Sequence, residues 1–262
     1  MANSPHLDLI GVIHLPALPG APGARLSAEQ VIERALSDAQ ALLNGGIRMC
    51  IVENFGDAPF RRGRVNPHVP ACMAVIATAI RERVGDELTL GINVLRNDAL
   101  SALGAAAACN AAFVRVNVLN GSAWTDQGLI QGEADAVLRY RRSLGVDVKI
   151  MADVCVKHAV PAGEDAVGRL ASDALERGGA DGIIVTGMGT GMETAVDDLR
   201  SARAAVPTAR IWVGSGVTPD TVRAYRQLAD GVIVGTHLHK ESAIGAPIDE
   251  DRVRAMVAAA RS

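Results

Sequence analysis

The chain has 262 residues and a formal net charge of −3, with 26 basic against 29 acidic side chains. Hydrophobic residues make up 49% and aromatic ones 3%, so Ala, Val, Leu and Ile can build a buried core, whereas a base-stacking nucleic-acid platform lacks its aromatics. No basic run stands out, no apolar stretch approaches the roughly 20 residues that cross a bilayer, and no N-terminal segment has signal-peptide form, so neither nucleic acid nor a membrane is expected as a partner and a cytoplasmic location is.

In chain order, short β-branched runs alternate with longer Ala-rich amphipathic stretches. A strand over 8–14 leads to a helix over 28–44, where Ser27 and Gln30 have capping-box spacing. Strands at 48–54, 88–95, 112–118 and 148–155 lead to helices at 68–84, 97–109, 131–143 and 164–178. The last strands, 181–186, 210–215 and 230–235, lead to helices at 194–205, 219–227 and 249–260. Thr218-Pro219 supplies a helix start, and Gly45-Gly46 and Gly178-Gly179 supply helix ends. Repeated βα units imply a parallel sheet, and eight of them close a single (β/α)8 TIM barrel over residues 1–262. A doubly wound open sheet is the alternative. It predicts a GxGxxG turn after the first strand, where this chain has Leu15-Pro16-Ala17-Leu18-Pro19-Gly20. Cys50, Cys72, Cys109 and Cys155 form no CxxC pair and read as reduced, buried thiols.

Side chains alternate faces along a strand. In 112–118, Val114, Val116 and Val118 share the face that should meet the helices, so Phe113, Arg115 and Asn117 should point into the lumen. The same register turns His14, Glu53, Asn93, Lys149, Asp153 and Thr186 inward. Nearly all stand near strand C-termini, where barrel enzymes place their sites. Buried charges are costly unless paired, so two readings are open. Arg115 and Lys149 can neutralise Glu53 and Asp153 as lumen ion pairs, or the carboxylates can serve as general acid and base, and less readily as ligands of a divalent metal. His14 reads either as a satisfied core histidine or as a proton shuttle. Lys157 and His158 follow the fifth strand and could hold an anion and move protons. Asp126, in the turn Thr125-Asp126-Gln127-Gly128, could reach a ligand from a lid.

Glycines cluster at the ends of the last three strands. The turns are Thr186-Gly187, Gly214-Ser215-Gly216-Val217-Thr218 and Gly235-Thr236. A phosphate needs several backbone N–H groups aimed at one point, and glycine permits both the close approach and positive φ. Gly187, Gly214, Ser215, Gly216, Gly235 and Thr236 are therefore expected to hold phosphate. The alternative is that these are merely tight βα turns.

Gly11-Val12-Ile13-His14-Leu15 with Leu18-Pro19-Gly20, Val52-Glu53-Asn54-Phe55-Gly56-Asp57 with Pro59-Phe60, and Asn93-Val94-Leu95-Arg96-Asn97-Asp98 resemble the BtpA family. So do Phe113-Val114-Arg115-Val116-Asn117, Ala152-Asp153-Val154 with Lys157-His158, and the Gly214-Ser215-Gly216-Val217-Thr218 turn. More distantly, the last two glycine turns are similar to those of ribulose-phosphate-binding barrels. The resemblance implies the barrel without fixing a function. The family is named for a factor needed for photosystem I biogenesis in cyanobacteria, members occur in organisms without photosystems, and some carry a nucleosidase label.

These readings favour an enzyme acting on a small phosphorylated sugar or nucleotide, as a nucleosidase, isomerase or lyase. Glu53, Asp153, His14 and His158 would be catalytic, and Asn93, Arg115, Asn117, Asp126, Lys157 and Thr186 would bind substrate. Lys149 is the lumen candidate for a Schiff base. A non-catalytic assembly factor and a ligand-binding barrel without turnover are the alternatives. No cofactor is expected, and homo-oligomerisation is expected only from its general frequency.

Overall fold

Eight short runs of branched aliphatics pair in parallel and close on themselves, so the sheet that they form has no edge. The computed structural model describes residues 7–155, 159–161, 163, 166–187 and 194–262. The barrel strands are β1 (Asp8–His14), β2 (Met49–Glu53), β3 (Thr89–Asn93), β4 (Phe113–Val116), β5 (Lys149–Val154), β6 (Gly182–Val185), β7 (Ile211–Val213) and β8 (Gly231–Val234). Each neighbours the next, and β8 pairs with β1. The open-sheet alternative is thereby removed.

Outside them lie α1 (Ala28–Gly45), α2 (His68–Val84), α3 (Ala99–Ala108), α4 (Ala134–Leu144), α5 (Val167–Ser172), α6 (Val196–Ala205) and α7 (Glu250–Arg261). The capping box at Ser27 and Gln30 forms as expected. Two helices differ from their expected form. The helix read over 164–178 is α5 followed by a π-turn over Asp173–Arg177. The helix read over 219–227 is reduced to a 3-10 turn at Val222–Tyr225. There the Thr221 hydroxyl accepts from the Thr218 amide and donates to the Gly216 carbonyl, so side chain competes with helix for the backbone.

The segment read as a loop after β4 is a hairpin, Ser122–Thr125 with Gly128–Gln131, joined by Ala159–Pro161 as a third antiparallel strand. Val118 packs beneath it with Ala123 and Ile130, and not against the helices with Val114 and Val116. Among the described residues no helix is long and apolar enough to cross a membrane.

The lumen has two storeys. Its lower part is an apolar plug of Ile10, Val12, Ile51, Phe113, Met151, Ile184, Trp212 and Ile233. Large rings are matched by missing side chains. A Cβ on Gly91 would stand 2.3 Å from the Phe113 ring, and one on Gly231 would stand 2.1 Å from the Trp212 ring and 2.7 Å from the Asp8 carbonyl. Lys149 is not in this lumen. It stands at the opposite, N-terminal rim, where its exposed ammonium lies 2.7 Å from Asp147, because the strand emerges into water there.

The plug yields a stability prediction. Gly231→Ala should overpack the lumen and lower unfolding free energy by about 1–3 kcal/mol. Urea denaturation monitored by the tryptophans should show an earlier midpoint without a changed slope.

Candidate active site

Above the plug the inward positions become polar. Arg115 on β4 donates from Nε and Nη2 to the two oxygens of Asp153 on β5, at 2.9 and 3.0 Å. Asn117 donates to the same carboxylate at 2.8 Å. The Asp153 side chain is wholly buried and fully engaged, so it holds Arg115 and Asn117 in place and is not a free acid or base. Burial pushes the Arg115 pKa down, but the Asp153 carboxylate and, further off, Glu53 outweigh it, so the guanidinium sits above its ordinary value. Asn93 on β3 donates to Glu53 Oε2 at 2.5 Å. It therefore orients the carboxylate and does not line the cavity. Glu53 Oε2 also stands 4.0 Å from Arg115, and Oε1 stands 3.8 Å from His14 Nε2.

His14, the last residue of β1, touches the Phe55 ring edge-on at 4.9 Å between centroids. Its Nδ1 lies 2.8 Å from Nε2 of His239, whose own Nδ1 lies 2.7 Å from the Ala246 carbonyl. Burial holds the wholly buried His239 below the ordinary histidine value, with the Ala246 bond and the Asp38 charge opposing.

The rim is built by polar residues that tie loops together. Asn54 accepts from the Leu95 amide and donates to Asp57, which accepts from the Leu18 amide. A Cβ on Gly56 would lie 2.2 Å from the Ala17 nitrogen, so only glycine lets these two loops touch. Asn97 bonds both the amide and the carbonyl of Val118, and Asp98 caps α3. Between these ties Arg96 points into the cavity. Its burial lowers its pKa, opposed by Asp153 and Asp126. Of the three phenylalanines in the chain, Phe55 and Phe60 line this same mouth.

The resulting cavity is about 520 Å³, large enough for a small metabolite. His14, Glu53, Arg96, Arg115, Asn117 and Asp126 line one side, and the turns 214–218 and 235–237 line the other. Asp126 reaches it from the turn of the hairpin, so that segment is both a turn and one wall of the mouth. Gly216 has φ +66°, and a Cβ on Gly235 would lie 2.8 Å from the His14 ring.

The structure departs from the phosphate expectation at two positions and from the substrate expectation at a third. The Gly214 amide donates to the Val185 carbonyl and is not available to an anion. That glycine instead makes room for the Ile184 and Thr186 methyls, 2.6 Å from where its Cβ would be. Gly187 is buried and does not line the cavity. Thr186, expected to bind substrate, spends its hydroxyl on the Cys155 carbonyl at 2.6 Å. By contrast, the amides of Gly216, Val217 and Thr236 donate to no group among the described residues. Ser215 lines the cavity and is buried. Lys157 and His158 lie outside the described residues. Among the described residues no three His, Cys, Asp or Glu side chains cluster as a metal ion would need.

Sequence reasoning missed Arg96 and His239. Arg96 lies inside the Asn93–Asp98 family motif, but it follows the strand and alternation says nothing of its direction. His239 lies 225 positions from the histidine that it bonds, and no local pattern links the two.

The model of the BtpA family matches residues 6–262. Over 256 residues the chain is 46% identical to the photosystem I biogenesis protein BtpA of a Synechocystis species, covering 97% of this chain and 88% of that protein. It is 44% identical over 251 residues to an uncharacterized protein of Pyrococcus furiosus, covering 95% and 93%. Among solved structures, one described as native KDPGal aligns with TM-score 0.62 at 16% identity over 97% of this chain and 95% of that one. Phosphoribosyl anthranilate isomerase from Thermus thermophilus aligns with TM-score 0.58 at 13% identity over 97% and 98%. At such identities the solved structures show the shared TIM-barrel fold.

Two measurements check this geometry. Arg115→Met should cost about 3–5 kcal/mol by leaving the Asp153 charge buried alone, and Arg115→Met with Asp153→Leu should recover part of it. The second concerns pH. His239 has a depressed folded pKa, so its share of stability is complete above the ordinary 6.5 and is lost as pH falls through the folded value. Against His239→Gln, wild-type stability should fall by up to about 1.4 kcal/mol per pH unit more steeply below neutrality, read by denaturation at stepped pH.

Proposed function

The chain belongs to the BtpA family, and we propose that it is an enzyme acting on a small phosphorylated metabolite, a phosphosugar or a nucleotide, by acid/base chemistry at Glu53 and His14. One observation carries this reading. The backbone amides of Gly216, Val217 and Thr236, which donate to no group among the described residues, belong to turns that line the same cavity as a buried carboxylate–imidazole pair. Amides beside a left-handed glycine suit the phosphate oxygens, which need donors more than a full counter-charge. With phosphate at that end, the body of the ligand would lie beside Glu53 and His14 and against Phe55 and Phe60.

Each nearby group then has a task. Glu53 and His14 exchange a proton with the ligand. Arg115, immobilised by Asp153, offers a fixed positive charge where negative charge develops, and Arg96 offers a second. The Asn117 carbonyl oxygen is buried without a hydrogen-bond partner among the described residues and can accept from a ligand hydroxyl. Asp126 closes the mouth from the hairpin. Nucleosidase, isomerase and lyase reactions all fit this set of groups. A Schiff base at Lys149 does not, since that lysine is on the opposite rim.

The Synechocystis relative is named for photosystem I biogenesis, which supports a second reading as a non-catalytic assembly factor. Under that reading Glu53→Gln leaves the biological role intact, whereas under ours it removes it.

Binding and turnover are separable by experiment. In a thermal-shift screen, a phosphorylated ligand at a hundred times its Kd should add about 2.7 kcal/mol, or roughly 5–10 °C in a chain of this size. The dephosphorylated parent should add far less, and Gly216→Val should cancel the difference. Equal shifts for a compound and its parent would remove the phosphate from the reading. For a ligand that is turned over, Glu53→Gln should preserve the shift and lower kcat by about 10²–10⁴.

A further inference from the structure

Behind His14, and out of contact with the cavity, the wholly buried His239 ring is clamped between two partners. Its Nδ1 lies 2.7 Å from the Ala246 carbonyl. A carbonyl can only accept, so that nitrogen carries a hydrogen. A second hydrogen, on Nε2, would make a buried cation, which burial disfavours. Nε2 of His239 therefore presents a lone pair, and it presents it to Nδ1 of His14 at 2.8 Å. Two lone pairs cannot share that distance, so the hydrogen between the rings belongs to His14.

We propose that His239 is a positioning residue that fixes neutral His14 as the Nδ1–H tautomer and makes Nε2 its basic nitrogen, aimed at Glu53 and the ligand. The surrounding chain holds this arrangement. Asp38 on α1 accepts from the Ile248 amide at 2.9 Å, and Lys240 donates its amide to the Pro247 carbonyl at 2.9 Å, which closes the turn that carries Ala246. Gly235 leaves the His14 ring just enough room, because a Cβ there would stand 3.2 Å from Nε2 itself. Among the described residues, Glu53 on β2 and Arg115 on β4 stand on the side of His14, and Asp38 and Arg34 on α1 on the side of His239.

The catalytic consequence rests on the proposed function, although the tautomer does not. Nε2 accepts one proton from the ligand or from Glu53. His14 then becomes an imidazolium, with Nδ1–H still bonded to neutral His239 and Nε2–H facing the Glu53 carboxylate. The same nitrogen returns the proton, so no other donor is required.

Nuclear magnetic resonance tests this directly on the full chain labelled with ¹⁵N-histidine. Long-range ¹⁵N–¹H spectra, taken above the pH at which His14 titrates, should show its Nδ1 protonated and its Nε2 bare. The His14 signals are those lost in His14→Gln. His239→Gln, whose side-chain carbonyl can still accept, should keep the tautomer. His239→Met should convert it to a mixture or to Nε2–H and lower the His14 titration point, because an imidazolium would lose its acceptor. A wild-type His14 with hydrogen on Nε2 and none on Nδ1 would overturn the proposal, and so would an unchanged tautomer in His239→Met. If His239→Met does not fold, the wild-type spectrum still decides. A failure of phosphorylated ligands to bind would strike the proposed function and leave this spectrum untouched.

Discussion

Closing a sheet into a barrel turns every second side chain toward a lumen that bulk water does not reach. In this protein the lower lumen meets that constraint with aliphatic side chains and two rings. The upper lumen places charge there, and a buried charge must be paired or pay several kcal/mol. Asp153 satisfies it by taking both arms of the Arg115 guanidinium and the Asn117 amide. With that carboxylate saturated, Glu53 is the acidic side chain that, among the described residues, both borders the cavity and stands beside the histidine.

From that pairing follows a division of labour between residues that touch the cavity and residues that hold them. Asn93 orients Glu53, Asp153 orients Arg115, and His239 backs His14. Asn54, Asp57 and Asn97 tie the loops after β1, β2, β3 and β4 to one another, so the mouth is a cross-linked rim. Several family-motif residues thus have structural work, which explains why polar residues stand in the motif without facing the ligand space.

The amide-lined end of the cavity and its acid/base end come from opposite sides of the barrel closure. β7 and β8 deliver the glycine turns, and β1 and β2 deliver His14 and Glu53. They become neighbours only because β8 pairs with β1. In an open sheet the same residues would stand at its two edges. Closure, more than any single residue, is what assembles the site, and this fold hosts many chemistries by varying what the same strand ends carry.

Alternation along strands was enough to read the strand count, the barrel and the inward direction of Glu53, Asn93, Arg115, Asn117 and Asp153, because a pleat leaves a side chain only two faces. Sequence resemblance added the family. Alternation could not say which polar neighbours saturate one another, so Asp153, Asn93 and Thr186 looked like ligand groups until their partners were seen. It also treated Lys149 as lumenal, because a face carries no information about height, and the strand leaves the plug at that residue. Arg96 and His239 lie beyond strand ends, where no period operates. The residue types at the site were thus set locally, by the pleat and by glycine's freedom. Their roles were decided in three dimensions, since a hydrogen bond is satisfied only by what distant chain segments bring within about 3 Å.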